Sequence, residues 1–443
     1  MKIDKLVTLT YMLLFGIVLQ SAAFSQSLTL RKQVATPGTF RTDIWGYVDD
    51  ATGNEYAIAG DQSGSGITII DVTDPDNATI VGAETTVNGF DVKVWNHYVY
   101  TVTGGYSGLG DIIDISDPAN PTVVGSFPTS HNIFISDNGY LIDDRLNIYD
   151  LNSTPEAPVL VNTGTNPGHD IAVIDGRLYD FHGGDGTRIF DFSDPANLQL
   201  LGVINDPSIN YHHSGWVSAD HNTLFICDEL ANHPTADISV WDISDLGNPE
   251  RIDDFADPSA IVHNLYVIGN YAVVAYYTAG LRVYDISNPT NISIVAEYDT
   301  SPLNGEFFGG AFGVYAFFPS GTIVLNDWQQ GVFVFTFDST TTGTGPQPGV
   351  PATFRLAQNY PNPFNPATTI VFDLPKESTV NLIIYNVMGQ KIRSLYSEAK
   401  IAGTHAVDWD GRDDSGNPVT SGSYFYRLET DGFSETKRML LVR

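Results

Sequence analysis

One phrase recurs along the chain, and this repetition constrains the fold more than any other feature. In each copy a run of β-branched and aromatic residues reaches an aspartate, a polar turn follows, and a second apolar run comes after it, as in GITIIDVTDPDNATIVG at residues 66–82. The aligned aspartates are Asp71, Asp114, Asp150, Asp191, Asp242 and Asp285, and Thr336 takes this place in a degraded seventh copy. Successive copies lie between 36 residues (Asp114 to Asp150) and 51 residues (Asp191 to Asp242) apart. These intervals are at or near the period of radial β-repeats.

Each repeat contains enough apolar runs for four strands. A further pair of apolar runs precedes each copy of the phrase, as in DVKVWNHYVYTV at residues 91–102. The proline of the turn fixes φ and lacks an N–H group, so it ends the strand before it. Helical periodicity is absent from this region. Four strands per repeat are typical of a propeller blade, so we predict an all-β chain with a seven-bladed β-propeller over residues 26–338.

The ring is expected to close through the N-terminal strand. The seventh copy ends at Phe337 without the outer strand that follows the turn in the other copies. Residues 27–35 alternate like a strand but belong to no repeat of their own. Adding them to the seventh blade would remove two exposed sheet edges.

The two ends of the chain differ from the repeats. Lys2 and Lys5 precede a short apolar stretch and then small residues, so residues 1–25 are predicted to be a cleaved signal peptide. Residues 339–352 form a Thr/Gly/Pro linker. Beyond it, alternating apolar residues and turn signals predict a small Ig-like antiparallel β-sandwich over residues 353–443.

Several motifs of this last segment resemble the type A sorting domain of the type IX secretion system and the Ig-like domain of flagellar hook-capping proteins. They are Asn359, Tyr360, Pro361, Asn362, Pro363 and Phe364 in NYPNPFNP, Gly389 in the MGQ turn, Gly422 and Tyr424 in SGSYFYRL, and Lys437 and Arg438 near the end. The resemblance implies that the type IX secretion machinery is a partner. It also implies transport through the periplasm to the medium or the outer-membrane surface. Whether the sorting domain is then removed or replaced by an anchor stays open.

The repeat region resembles the LVIVD-repeat proteins, in particular the choice-of-anchor B group. The phrases that carry the likeness include HNIFI (131–135), HHSGW (212–216) and AGLRVYDIS (279–287). Because little biochemistry is known for that family, the resemblance implies the fold and leaves the function open.

The net charge of the chain limits the classes of partner that it can bind. The chain has 52 acidic and 21 basic side chains, a formal net charge of −31. A nucleic-acid partner would need a basic surface that is missing here, and anionic membrane surfaces are disfavoured for the same reason. Acidic surfaces favour divalent cations such as calcium. The single cysteine, Cys227, excludes an internal disulfide, and we expect a monomer without a transmembrane segment once the signal peptide is removed.

Four histidines recur at the start of the first strand of adjacent repeats. They are His131, His169, His213 and His263, each followed by a polar residue. The first strand of a blade lines the central channel, so these side chains should form a crescent near one mouth. Imidazole suits transition metals, and the nearest carboxylates by repeat position are Asp91, Asp170, Asp228 and Glu229. The alternative is that the histidines only lock one blade to the next through backbone hydrogen bonds. His212 and His221 are expected on the surface or in loops.

Two functions remain open. The absence of nucleophile-elbow, phosphate-loop and zinc-protease motifs favours a non-catalytic scaffold that binds an extracellular glycan or protein. The alternative is a metal-dependent hydrolase or lyase that uses the histidine crescent. The implied cofactor is a divalent metal, either calcium or a transition metal.

Overall fold

The fold is taken from a computed structural model of the chain. It describes residues 26–165, 167–231, 236–339, 354–356, 359, 362, 364–374, 378–400, 403–430 and 433–442. The predicted signal peptide (1–25) and the linker, apart from Ser339, lie outside the described residues. No helix in the described part is both long and apolar enough to cross a membrane.

Residues 27–338 form seven antiparallel four-stranded sheets, which we number as blades along the chain. Blade 1 consists of β2 (Arg41–Val48), β3 (Glu55–Asp61), β4 (Gly66–Asp71) and β5 (Thr79–Glu84). Blade 2 consists of β6 (Asp91–Trp95), β7 (Tyr98–Val102), β8 (Leu109–Asp114) and β9 (Thr122–Pro128). Blade 3 consists of β10 (Ile133–Ile135), β11 (Tyr140–Asp143), β12 (Ile148–Asp150) and β13 (Val159–Asn162).

Blade 4 consists of β14 (Asp170–Ile174), β15 (Arg177–Phe181), β16 (Thr187–Asp191) and β17 (Gln199–Ile204). Blade 5 consists of β18 (His212–Val217), β19 (Thr223–Asp228), β20 (Ile238–Asp242) and β21 (Glu250–Phe255). Blade 6 consists of β22 (Val262–Ile268), β23 (Tyr271–Tyr276), β24 (Gly280–Asp285) and β25 (Ser293–Tyr298). Short 3₁₀ turns occur at Pro75–Asn77 and Tyr277–Ala279. The seven-bladed all-β architecture agrees with the prediction from the repeats.

The seventh blade takes its outer strand from the N-terminal segment. It contains β26 (Ala311–Tyr315), β27 (Thr322–Asp327), β28 (Gly331–Asp338) and β1 (Ser27–Val34). β1 runs antiparallel to β28, with Ser27 opposite Asp338 and Val34 opposite Val332. The closure expected from the sequence is therefore present, and it joins the first strand of the chain to the last strand of the ring.

The repeated aspartates build turns. Each one ends the third strand of its blade, and its carboxylate accepts the N–H of the residue two positions later, as Asp71 does from Thr73 at 3.0 Å and Asp242 from Ser244 at 2.9 Å. Such a turn positions the polar segment that leads to the outer strand. The repeated aspartates are thus part of the scaffold and lie away from the channel.

The first strands of neighbouring blades contact each other around the channel. Lower in the channel, four large aromatic rings from blades 1, 3, 5 and 6 pack edge to face or tilted, with centroids 5.1–6.3 Å apart; they are Trp45, Phe134, Trp216 and Tyr266. We call them the aromatic floor. Because these rings pack across the channel, the pocket at the mouth above them is closed at its base.

The C-terminal segment is a two-sheet sandwich. One sheet contains β29 (Arg355–Leu356), β30 (Thr368–Leu374) and β33 (Gly403–Trp409). The other contains β31 (Ser378–Asn386), β32 (Lys391–Lys400), β34 (Gly422–Thr430) and β35 (Phe433–Leu441). Its core contains fully buried Trp409, Tyr426 and Phe372, as expected for an Ig-like module.

Candidate functional site

The predicted histidine crescent exists and lines a cavity of about 200 Å³ at one mouth of the channel. The rings of His131, His169, His213 and His263 follow one another around the wall, with centroids 4.3–4.7 Å apart. Phe90 and Phe312 continue the wall in blades 2 and 7. One face of the cavity is therefore nitrogen-rich and the opposite face is aromatic.

Three of the four histidines also connect neighbouring blades. The Nδ1 atom of His131 donates to the carbonyl oxygen of Gly104 in blade 2 at 3.0 Å. The Nδ1 atoms of His169 and His263 donate in the same way to His213 O (3.2 Å) and Phe312 O (2.7 Å). The blade-locking role that the sequence offered as an alternative thus occupies only one nitrogen of each ring.

These hydrogen bonds fix the tautomer. A carbonyl oxygen can only accept, so each of these Nδ1 atoms carries the proton and each neutral ring exposes Nε2 as a lone pair. Burial, reinforced by neighbouring imidazoles, lowers the pKa of His169 well below its usual value. The same causes lower the pKa of His213 and of His263 to about 3. These three rings are therefore neutral at physiological pH.

The Nε2 atoms converge with one carboxylate. His131 Nε2 and His169 Nε2 are 3.1 Å apart, and His213 Nε2 is 3.5 Å from Glu229 Oε2. One donor atom from each of His169, His213 and Glu229 lies within 4.8 Å of the others. For comparison, two nitrogens bound to one tetrahedral zinc ion at about 2.05 Å would be about 3.3 Å apart.

Glu229 and Asp228 have different roles, although they are adjacent. Glu229 lies just after β19, lines the cavity, and accepts the hydroxyl of Tyr277 at 2.6 Å. The carboxylate of Asp228 instead accepts the backbone N–H groups of Asn210, Tyr211 and Leu230. Asp228 therefore holds a loop and, unlike Glu229, does not line the cavity.

Asp91 and Asp170 lie near the base of the same cavity. Asp91 pairs with buried Lys93 at 2.5 Å, and Asp43 pairs with the same ammonium at 2.7 Å. Burial opposes ionisation of Asp91, but the ammonium of Lys93 outweighs it and lowers the pKa of this carboxyl. Burial raises the pKa of Asp43 well above its usual value and that of Asp170 to about 7.

Sequence reasoning missed Asp43 and Lys93 as site residues. Lys93 occurs in a single repeat, so no recurring pattern marks it, whereas Asp43 shares its first-strand position with Asp91 and Asp170. The available signal was strand alternation, because Lys93 lies two residues after Asp91 on β6 and so faces the same side of the sheet. His212 was also misplaced: it is 1% exposed on β18 and bonds to the Thr187 hydroxyl at 2.8 Å.

Aromatic side chains surround the opening. Phe40 and Trp328 stack with centroids 4.0 Å apart and nearly parallel planes. Phe308 lies edge-on to Tyr277 at 5.3 Å and is 49% exposed. Exposed aromatic faces of this kind can stack on sugar rings or on apolar side chains.

The sorting-motif residues are part of the C-terminal sandwich. Phe364 and Tyr424 are buried against Trp409. The amide of Asn359 donates to Thr368 Oγ1 at 2.9 Å, and Asn362 Oδ1 accepts the N–H of Leu440 at 2.8 Å.

The other motif positions lie in a turn or at half-buried or exposed strand positions. Gly389 has φ +73° in the turn between β31 and β32, and Gly422 opens β34. Lys437 and Arg438 lie on β35. Tyr360, Pro361 and Pro363 lie outside the described residues.

Protein-family models match segments in both parts of the chain. The LVIVD repeat model matches residues 89–129 and 261–300, which include blades 2 and 6. The FlgD Ig-like domain model matches residues 363–432. No curated protein is similar enough in sequence to match this chain.

Solved structures are similar at low sequence identity. The WD40 β-propeller domain of Doa1 is 11% identical, covers 70% of this chain and 97% of its own length, and superposes with a TM-score of 0.50. PorZ, a surface component of the type IX secretion system of Porphyromonas gingivalis, is 14% identical over 88% of this chain, with a TM-score of 0.43. This chain spans 58% of the length of PorZ. The computationally designed protein Ika8 is 10% identical over 67% of this chain and 83% of its own, with a TM-score of 0.45. The chain thus combines a β-propeller, two blades of which match the LVIVD repeat model, with a C-terminal domain that matches the FlgD Ig-like model.

Proposed function

We propose that this protein is an exported β-propeller that binds an extracellular ligand at its channel mouth, with a transition-metal ion as part of the binding site. The observation that carries the proposal is the cluster of His169, His213 and Glu229, whose ligand atoms lie within 4.8 Å of one another. Neutral imidazole and carboxylate are the ligands that zinc-like ions prefer. His169, His213 and Glu229 would hold the ion, with His131 and His263 next to them.

The hydrogen bonds of the crescent support a metal more than they support a purely structural role. Metal-binding histidines usually donate their second nitrogen to a carbonyl or carboxylate, which fixes the ring and its tautomer. His131 and His169 have this arrangement. Two lone pairs facing each other at 3.1 Å repel, and a proton or a metal ion next to them relieves that repulsion.

Metal binding by the purified protein tests the proposal. After stripping with chelator, titration calorimetry with Zn²⁺ should give one ion per chain. His213→Ala and Glu229→Gln should each weaken binding at least tenfold. The matched control is His97→Ala, because His97 lies in a turn away from the cavity. If none of Zn²⁺, Co²⁺, Ni²⁺ and Cu²⁺ binds at one ion per chain, the proposal is wrong and the histidines only connect neighbouring blades.

The aromatic rim supports an organic ligand above the metal, of the glycan or protein class. Screening of arrayed glycans and peptides should identify ligands whose binding falls with Phe308→Ala or Trp328→Ala. Leu200→Ala is a suitable control, since Leu200 is 57% exposed on the outer strand β17. Equal binding by all three variants would place the ligand elsewhere.

A metal-dependent hydrolase or lyase is a second candidate. It is favoured by one observation: the three proposed ligands line an open cavity, and three protein ligands with a free position are typical of catalytic zinc sites. Zinc-loaded protein should then hydrolyse an activated ester faster than the His213→Ala variant does. Equal rates would exclude ester hydrolysis at this site.

The C-terminal domain is proposed to direct export. Its support is the FlgD-type match at residues 363–432 together with the sorting motifs. Residues 353–443 fused to a periplasmic reporter should carry it to the surface or the medium in a bacterium with type IX secretion. A secretion-deficient strain should retain the reporter in the periplasm. Equal export by both strains would contradict this route.

A further inference from the structure

A ring of polar side chains lies one residue deeper than the histidines. It consists of Asp43, Asp91, Asn132, Asp170, Ser214 and Asn264, which come from the first strands of blades 1 to 6 or the residues just before them. We call it the polar ring. It surrounds a second cavity of about 20 Å³ above the aromatic floor, roughly the room that one water molecule or one metal ion needs.

The polar ring has more negative than positive charge. Its three carboxylates face a single ammonium among the lining residues, that of Lys93. Lys93 Nζ pairs with Asp43 Oδ2 and Asp91 Oδ1, and all three side chains are at most 5% exposed. With every group ionised the formal charge is −2. Burying such an excess is costly unless the carboxyls take up protons or a counter-charge is bound.

Three oxygens of the ring have no hydrogen-bond partner. They are Asp43 Oδ1, Asn132 Oδ1 and Asn264 Oδ1, from blades 1, 3 and 6. Asp43 is 4% exposed and Asn264 is 8% exposed, so bulk water does not reach these two side chains, and Asn132 is half-buried. Leaving a buried acceptor unpaired destabilises the folded chain. Several unpaired acceptors around a cavity of this size point to a bound cation.

We propose that the polar ring binds one Ca²⁺ ion, held by Asp43, Asp170 and the amide oxygens of Asn132 and Asn264. Calcium takes six to eight oxygen ligands in flexible geometry, and bound water would complete the set. One Ca²⁺ brings the formal charge of the ring to zero. The site goes beyond the transition-metal site above it, because its ligands are oxygens and not imidazole nitrogens.

Terbium luminescence on the full chain, after treatment with chelator, tests the calcium site. Lys93 Nζ lies 4.7 Å from the centroid of Trp45, so this indole is close enough to the ring to sensitise bound Tb³⁺. We expect one saturable Tb³⁺ site that Ca²⁺ displaces and that saturating Zn²⁺ does not. Ca²⁺ should also raise the melting temperature, since it binds only the folded chain.

Substitutions assign the signal to the ring. Asn264→Leu removes the amide oxygen at similar volume and should weaken Ca²⁺ binding at least tenfold. Asn132→Leu is a second variant in case the first does not fold. Asp185→Asn is the matched control, because the Asp185 side chain is 86% exposed. Absence of saturable Tb³⁺ binding, or equal binding by every variant, would overturn the proposal and indicate that the polar ring binds only water.

Discussion

At the scale of single residues, a buried carboxyl outside the channel controls part of the pH dependence of folding. Asp237 is 1% exposed, and its carboxylate accepts the hydroxyl of Tyr276 at 3.1 Å. Burial raises the pKa of Asp237 from its ordinary 3.8 to about 8. Between these two values the folded protein holds a proton that the unfolded chain has released. Raising the pH from 4 to 8 therefore lowers the free energy of unfolding.

Replacing Asp237 by Asn should remove this pH dependence. The amide keeps an oxygen for Tyr276 and needs no proton, so the variant should be more stable than the wild type at pH 8. We expect a gain of about 1–3 kcal/mol there and almost none at pH 4. Urea unfolding at both pH values measures the difference, with Asp185→Asn as the exposed control. An equal stability difference at both values would contradict the titration of Asp237.

The residues of the channel show what a repeat makes predictable. The four histidines could be found because the same position recurs in four blades, and their place at the mouth follows from the position of a first strand. Asp228 and Glu229 could not be told apart, since the end of β19 decides which side chain faces the cavity. Lys93 occurs in one blade only, and its partner Asp43 is 50 residues away in another. Only the three-dimensional ring brings these two together.

At the scale of strands, the polar turn after each third strand depends on its aspartate. The N–H of Ser287 donates to Asp285 Oδ1 at 2.9 Å. Asp285→Ala should lower the free energy of unfolding by about 0.5–1.5 kcal/mol, the usual value of one hydrogen bond. Asp285→Asn keeps the acceptor and should be close to wild type in thermal melts. An equal loss in the free energy of unfolding for both substitutions would show that the charge of Asp285 stabilises the fold, and not its hydrogen bond in the turn.

The closing strand could be predicted from what the sequence lacks, because one repeat had no outer strand and one strand had no repeat. The register of β1 against β28 could not be predicted, since the pairing of the two strands shifts between Leu30 and Lys32. Alternation alone does not show where such an irregularity falls.

The pairing of β1 with β28 makes a circular permutant feasible. Because Ser27 lies opposite Asp338, a two-residue turn can join these ends as a hairpin. With new ends in an exposed loop, such a permutant should keep the circular dichroism of the native propeller. Deleting residues 27–34 instead should cost more than about 3 kcal/mol or prevent folding, because β28 becomes an edge. A deletion variant as stable as the wild type would mean that closure of the ring by β1 does not stabilise the propeller.

At the scale of the whole molecule, the chain divides into two sets of buried residues. The buried clusters of the propeller contain residues up to Phe337 only. The cluster of the C-terminal sandwich contains residues from Phe354 to Leu441 only. Each part therefore has its own hydrophobic core, which is the physical requirement for independent folding.

Residues 26–339 expressed alone should consequently fold and bind metal like the full chain. Every proposed ligand of both metal sites lies within this range, and among the described residues none of its core side chains comes from the sandwich. We expect a melting temperature within about 3 °C of the propeller transition in the full chain. The Zn²⁺ stoichiometry should also be the same. Differential scanning calorimetry of the full chain should show a second transition, which residues 354–443 alone reproduce. A single transition, lost when the sandwich is removed, would show that the C-terminal domain is needed for the fold as well as proposed for export.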